Sequence, residues 1–518
     1  MKKLSLLAFV ALAICFPSAI HAADGTPLWT NALSQLPSTA PGLSSAHLIV
    51  VDTNGNSYVG GYYISTTQTY SYFLLVKYSP AGVALWATIK NNSGGNDSIT
   101  GLALDSSGNV YVTGRTVGAG TGNDFTFVKY SSTNGNLLQQ MRYNTSGNND
   151  DFAAALAVNV SGEIFVAGQT MVASAANSSW LTIKYSNTGA FAWANTFRGT
   201  GTGLDQVKAI AADPSGSVYV SGYATDAGGN IDYATVKYSS AGTQLWANKY
   251  NGTGNGDYLV QSMALDADGN TYVTGIAAGA SGSFDYATIK ISSSGQSVWT
   301  NIYDGAGHSD DEAVAVASDS SENVYVTGTS IGVGGKYGYV TIKYSNTGVP
   351  MWTNFFNGIG NRGGQAVGLS VDGAGNAYVT GSSFGGLRPD EYVTIKYTTV
   401  GTAVWTNLYV GGTASAVTTD INGNAYVTGN SGSLMATIEY AAGVAPLSFV
   451  TSNGNFGPVN NQFVLNLTGP SGSNAVVSAT TNFQTWVPIA TNRITAGSLQ
   501  VTDTVAPNKL RFYRAQLQ

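Results

Sequence analysis

One phrase, Asp-x-x-Gly-Asn-x-Tyr-Val-Thr-Gly, recurs eight times with small variations, its last glycine falling at Gly61, Gly114, Gly168, Gly222, Gly275, Gly328, Gly381 and Gly429. Successive copies are 53 or 54 residues apart until the final step, which is 48. A period near 50 with several short apolar segments per unit points to β-propeller blades rather than to a helical solenoid. Each unit holds four strand-like segments, in the fourth repeat 207–212, 218–222, 233–238 and 244–250, termed a, b, c and d. Strand a is built of small residues, as in Gly101-Leu102-Ala103-Leu104, which suits the crowded axis. Strand d carries Trp86, Trp193, Trp246, Trp299, Trp352 and Trp405, which suits the periphery where blades splay apart.

The ends of the chain complete this picture. A d-type segment, Pro27-Leu28-Trp29-Thr30, precedes any strand a, and the eighth repeat stops after its strand c at Tyr440. The N-terminal segment is therefore expected to close the last blade and remove an open edge. The fold expected is an all-β, eight-bladed propeller of four-stranded blades over residues 23–444, with a small β-rich domain at 445–518. Residues 1–22 read as a signal peptide: Lys2 and Lys3, an apolar run from Leu4 to Phe16, then small residues to Ala22. That run is shorter than the roughly 20 residues of a membrane-spanning helix, so no transmembrane segment is expected.

The repeats resemble bacterial β-propeller repeats of the SBBP type and, more weakly, NHL repeats, over roughly residues 25–444. The resemblance implies an extracellular or surface-associated propeller. Local departures are Asn159 and Glu163 in the third turn, Glu322 in the sixth, and Leu138 where the second repeat lacks its tryptophan.

Composition narrows the function classes. Without the leader lysines the chain has 20 basic and 28 acidic residues, a net charge of −8, which argues against nucleic acid as a partner. The single cysteine, Cys15, lies in the leader, so a processed chain has no thiol for a disulfide, a zinc site or a nucleophile. Past the leader the only histidines are His47 and His308, and no triad or paired-histidine spacing is present.

Three repeated motifs have chemical as well as structural readings. The Asp-x-x-Gly-Asn segments, such as Asp105 to Asn109 and Asp266 to Asn270, have calcium-loop oxygens but lack the distant bidentate carboxylate, and read as a-to-b hairpin turns. A strand-c lysine, at Lys77, Lys129, Lys184, Lys237, Lys290, Lys343 and Lys396, reads as a strut between blades, because a catalytic group is needed once and not seven times. The strand-d tryptophans resemble the docking motif of quinoprotein dehydrogenases, but the paired cysteines of those enzymes are missing.

The candidate site rests on two further sets. Acids in the d-to-a turns include Asp97, Asp151, Asp205 and Asp311, and acids in the b-to-c turns include Asp124, Asp232 and Asp285, which together predict one solvated acidic face. Five residues before each hairpin aspartate, the repeats disagree, reading His47, Thr100, Ala154, Lys208, Gln261, Val314, Val367 and Ser415. The expected ligand residues are Asp97, Asp151, Asp205, Asp311, His47, Lys208 and Gln261. The expected function is a secreted or cell-surface binding scaffold, monomeric and without a cofactor, that takes a glycan, a cation or a surface protein. An extracellular or periplasmic enzyme, quinoprotein-like or polysaccharide-active, is the alternative.

Overall fold

The structure is a computed structural model. It describes residues 25–33 and 42–442, apart from loop segments at 68–69, 91–94, 119–121, 172–176, 253–255, 280–281 and 385–389. It also describes 13–15 and the strands between 448 and 517. Two compact units emerge, Pro27–Tyr440 and a second one made of Met1–Thr26 with Ala441–Gln518.

The first unit is the expected propeller: eight antiparallel sheets of four strands, each paired in the order a-b-c-d. Blade one is Gly42–Val51, Ser57–Ser65, Ser71–Tyr78 and Ala84–Lys90. Blade eight takes Gly412–Thr419, Ala425–Ser431 and Leu434–Tyr440 from the end of the unit and Pro27–Ala32 from its start. Thr30 pairs with Ile438 and Ala32 with Ala436, so the N-terminal strand is the outer strand of the last blade. The short final step of the repeat has a separate cause, because only Gly411 separates strand d of blade seven, Ala403–Val410, from strand a of blade eight. Inner strands of neighbouring blades pack together all the way round, including blade eight against blade one.

Cores lie between blades rather than within them. Phe165, Ala167 and Trp180 of blade three pack with Val207, Val218, Val220, Val236 and Tyr238 of blade four. Burying each large side chain is worth about 1.5–3 kcal/mol, so the gaps hold the ring together. Strand d then pins each gap from outside. Trp193 Nε1 and Lys184 Nζ both donate to the Ser240 carbonyl of the next blade, at 3.2 and 3.0 Å, and Asn195 Nδ2 donates to the Gly242 carbonyl at 2.6 Å. Gly242 has φ 87°, and a Cβ there would press on the Trp193 ring. At the seam Trp29 repeats the contact on the Pro80 carbonyl of blade one, at 3.2 Å.

Lys77, Lys184, Lys290 and Lys343 are thus struts between blades, as the repetition predicts. Each of the seven lysines also sits over an aromatic ring of strand b, Phe165 for Lys184 and a tyrosine for the others, Lys237 over Tyr219 at 4.6 Å for example. Glu439 replaces the lysine in blade eight and accepts from Trp29 Nε1.

The second unit has two sheets. Asn474–Thr480 pairs with Val487–Arg493 and Phe512–Leu517, and Ala13–Cys15 lies parallel to the last of these. Gln462–Thr468 pairs with Ser448–Phe449, Gly457–Val459 and Ser498–Asp503. Its core is Leu465, Leu467, Ala475, Val477, Ala479, Val501 and Tyr513. Among the described residues no helix is long and apolar enough to cross a membrane.

Candidate functional site

The hairpin reading of the Asp-x-x-Gly-Asn segments holds at atomic level. Asp105 Oδ1 accepts from the Ser107 and Asn109 N–H groups, while Oδ2 takes Asn109 Nδ2, the Tyr111 hydroxyl and Lys129. Gly108, at φ 78°, supplies the left-handed residue that closes the turn. The carboxylate is therefore occupied by its own hairpin. In the third repeat Asn159 and Glu163 divide the same work, Asn159 accepting from the turn N–H groups and Glu163 pairing with Lys184 at 2.8 Å.

The predicted solvated acidic face is not what the chain builds. Asp97, Asp151, Asp205 and Asp311 are all buried, at 0, 0, 1 and 0 % exposure. They share one register, two residues before the partner of the phrase's last glycine, and three of them accept from the backbone N–H six residues earlier. Asp205 binds Gly199 N and Thr225 N, both at 2.7 Å; Asp151 binds Thr145 N at 2.8 Å; Asp311 binds Gly305 N. These carboxylates staple the d-to-a turn into the sheet. A turn otherwise left with unpaired buried N–H groups needs such an acceptor, and this need accounts for the burial of these acids.

The variable series has a different and specific place. In every blade the a–b ladder slips by one residue at that position: between Ala46 and Leu48, Val207 and Ala209, Val260 and Ser262, and equivalently in the other five. His47, Thr100, Ala154, Lys208, Gln261, Val314, Val367 and Ser415 are thus the extra residues of eight β-bulges on the innermost strands, where a bulge re-aims one side chain. The bulge also explains the invariant glycine. A Cβ on Gly222 would run into the Gln206 carbonyl, and the same clash recurs at its counterparts.

None of the eight bulge residues is buried. His47 stands edge-on to Tyr62, 5.3 Å between centroids, and Ser45 Oγ lies 3.2 Å from its Nε2. Lys208 Nζ lies over the Tyr223 ring at 5.7 Å. Partial burial lowers the pKa of both His47 and Lys208. Thr100 reaches the inner strand of the next blade and donates to the Ala153 carbonyl at 2.8 Å. Tyr62 and Tyr223, each next to the phrase's last glycine, were not singled out from sequence. The signal was there, because the same position reads Arg115, Gln169, Ile276, Thr329, Ser382 and Asn430 in the other blades. Asn430 Oδ1 accepts from Ala46 N, beside His47, at 3.2 Å.

A separate open cleft of about 540 Å³ lies by the turn between blades two and three, lined by Tyr143, Thr145, Asn149 and Met171 among others. It brings together no pair of acid and base.

Among known proteins, residues 85–120 match the family model described as SBBP, a beta-propeller repeat. No curated protein matches the sequence. A solved structure, the WD40 beta propeller domain of Doa1, is similar at 10 % identity and TM-score 0.37, covering 67 % of this chain and 94 % of that one. The segment 85–120 runs from strand d of blade one through strand b of blade two, across the junction where one blade hands over to the next. With that match set beside eight closed four-stranded blades, the chain is an eight-bladed β-propeller carrying a repeat of the SBBP type.

Proposed function

We propose that the propeller is a non-catalytic, exported binding module whose ligand is a carbohydrate held by the ring of bulge residues. One observation carries the reading: eight positions made equivalent by the fold hold non-equivalent side chains. A position needed only for packing would be filled alike in every blade, as the glycine opposite it is. The arc of His47, Thr100, Lys208 and Gln261 is polar, Val314 and Val367 are apolar, and Tyr62 and Tyr223 add rings beside two of the polar groups. Hydrogen-bond donors next to aromatic faces suit hydroxyl-rich rings, and Lys208 favours those carrying a carboxylate. Burial of the turn acids leaves no solvated acidic face to recommend a polysaccharide-active enzyme. The leader supports export of a chain beginning after Ala22, which mass spectrometry of the processed protein checks.

The test is a carbohydrate array holding neutral and uronic-acid oligosaccharides, probed with residues 23–518 and with Lys208→Ala. Binding of uronic-acid ligands that drops at least about tenfold in the variant, with melting unchanged, is the expected outcome. An array with no bound sugar, or a variant that binds as well as the parent, overturns the reading.

A further inference from the structure

The repeat supplies internal controls for one cluster that breaks its pattern. At the junctions that follow blades two, four and five, four register-equivalent positions can be compared: the strand-c partner of the residue two past the phrase's last glycine, the last-but-one residue of strand d, the residue following strand d, and the stapling position. At the junction of blades two and three they are Asp124, Arg142, Asn144 and Asp151, and the buried Asp124 pairs with Arg142 at 3.4 Å. Between blades four and five, Asp232 faces Lys249 across the strand pair, with Asn251 and Tyr258 at the other two positions. Between blades five and six they are Asp285, Ile302, Asp304 and Asp311. The counter-cation has become isoleucine and the usual asparagine has become a third carboxylate.

These three carboxylates offer ligand oxygens within 4.8 Å of one another. Asp285 is 7 % exposed and Asp311 is fully buried, and one oxygen of each, Oδ1, has no hydrogen-bond partner among the described residues. A further buried group points the same way. Ser330, 1 % exposed, faces the Asp311 carboxylate, and its Oγ makes no hydrogen bond of normal geometry. Ser330 Oγ and both Asp311 oxygens converge on one point beside Gly305, where a Cβ would collide with all three. Among the described residues the only basic group at the cluster is His308, an exposed side chain whose Nδ1 lies 2.7 Å from Asp304 Oδ2. One exposed imidazole does not neutralise three carboxylates, two of them buried, and uncompensated buried charge is strongly unfavourable.

We propose that Asp285, Asp304 and Asp311, with Ser330 beside them, bind one calcium ion at the junction of blades five and six. The donors are all oxygen, which selects a hard cation over zinc or copper. Asp304 is the adaptable ligand, at the exposed turn, and His308 orients it. The ion takes the place that Arg142 fills after blade two and Lys249 after blade four. A site with three carboxylates on rigid strands belongs to the extracellular affinity class, about 10⁻⁴–10⁻³ M.

Calorimetry and Tyr-sensitised terbium luminescence on residues 23–518 test this, Tyr303 being close enough to Asp304 and Asp311 to sensitise the ion. One calcium per chain is expected, with a melting temperature that rises with calcium and falls back in EDTA. Asp285→Asn and Asp304→Asn should each weaken binding about tenfold or more while melting in EDTA no lower than the parent. Ile302→Lys, which restores the counter-charge of blade four, should abolish the calcium dependence and keep the fold. Absence of binding up to about 10 mM calcium, or binding untouched by all three substitutions, overturns the proposal.

Discussion

At the residue scale the decisive property is burial of carboxylates. From the sequence Asp205 is a turn acid among small polar residues, and nothing in that composition separates a solvated aspartate from one whose oxygens close a turn. The difference lies in where the backbone N–H of Gly199 goes, which depends on the neighbouring strand. Burial replaces the solvated face expected of these acids with a structural role. Asp205→Ala strands two buried N–H groups and should cost about 2–4 kcal/mol, read as a lower urea midpoint with an unchanged slope. Asp232 tests the electrostatics. Burial first, and Asp226 second, push its carboxyl up to about 6 against the opposing pull of Lys249. A raised folded-state pKa means that the native protein holds this proton more tightly than the unfolded chain. The contribution is therefore full below the unfolded value near 4 and is lost as pH rises through about 6. Asp232→Asn should flatten the stability profile between pH 4 and 6, and a profile identical to the parent's would remove Asp232 from the account.

At the scale of the element, the sequence is legible where a structural need repeats and opaque where strands from different repeats meet. The hairpins are readable because Asp, Gly and Asn each do a local job within five residues. The strand-c lysine is recognisable as a strut because it recurs seven times, yet its partner is a carbonyl some 55 residues away, as with Lys77 and Ser132. Bulges are hidden for a related reason, since one extra residue in a run of Ala, Ser and Val leaves no gap in the pattern. Only comparison between repeats exposes them, through the invariant glycine opposite and the variable residue beside it. Strand c of blade six illustrates the strut's worth. Lys343 is 3 % exposed, reaches the Thr399 carbonyl at 3.2 Å and lies 3.5 Å from Asp319. Lys343→Met keeps the apolar stem but leaves Asp319 without its cation, and should lower stability by about 1–3 kcal/mol in thermal melts. An unchanged melt would mean that Trp352, which shares the same carbonyl at 3.1 Å, suffices alone.

At the scale of the whole propeller, the repeat count, the d-type segment at Pro27 and the end of the eighth repeat after its strand c were enough to read eight blades and the closing strand. What could not be read is the chemistry of the seam, because Glu439 breaks the lysine series at the blade completed from both ends. Burial raises the Glu439 carboxyl, and Asp420 adds to the effect, while the Tyr426 hydroxyl and Trp29 indole oppose it. Glu439→Lys would restore the Lys–Asp pairing of the other blades and should stabilise the closed ring, seen as a higher melting temperature at neutral pH, where the parent carries two neighbouring carboxylates. A lower melt would show that the Trp29 contact outweighs the missing lysine. The second unit was legible only as β-rich, and its two-sheet pairing has no repeat to announce it. The functional account depends on the asymmetric ring that the symmetric scaffold displays. Its most direct test is carbohydrate binding by residues 23–518 carrying His47→Ala, Lys208→Ala and Gln261→Ala together, measured by calorimetry beside a thermal melt. The account predicts that binding disappears while the melt stays within a few degrees, since partly exposed side chains at bulges contribute little to stability, about 0.5 kcal/mol each. Full binding by the triple variant would contradict it.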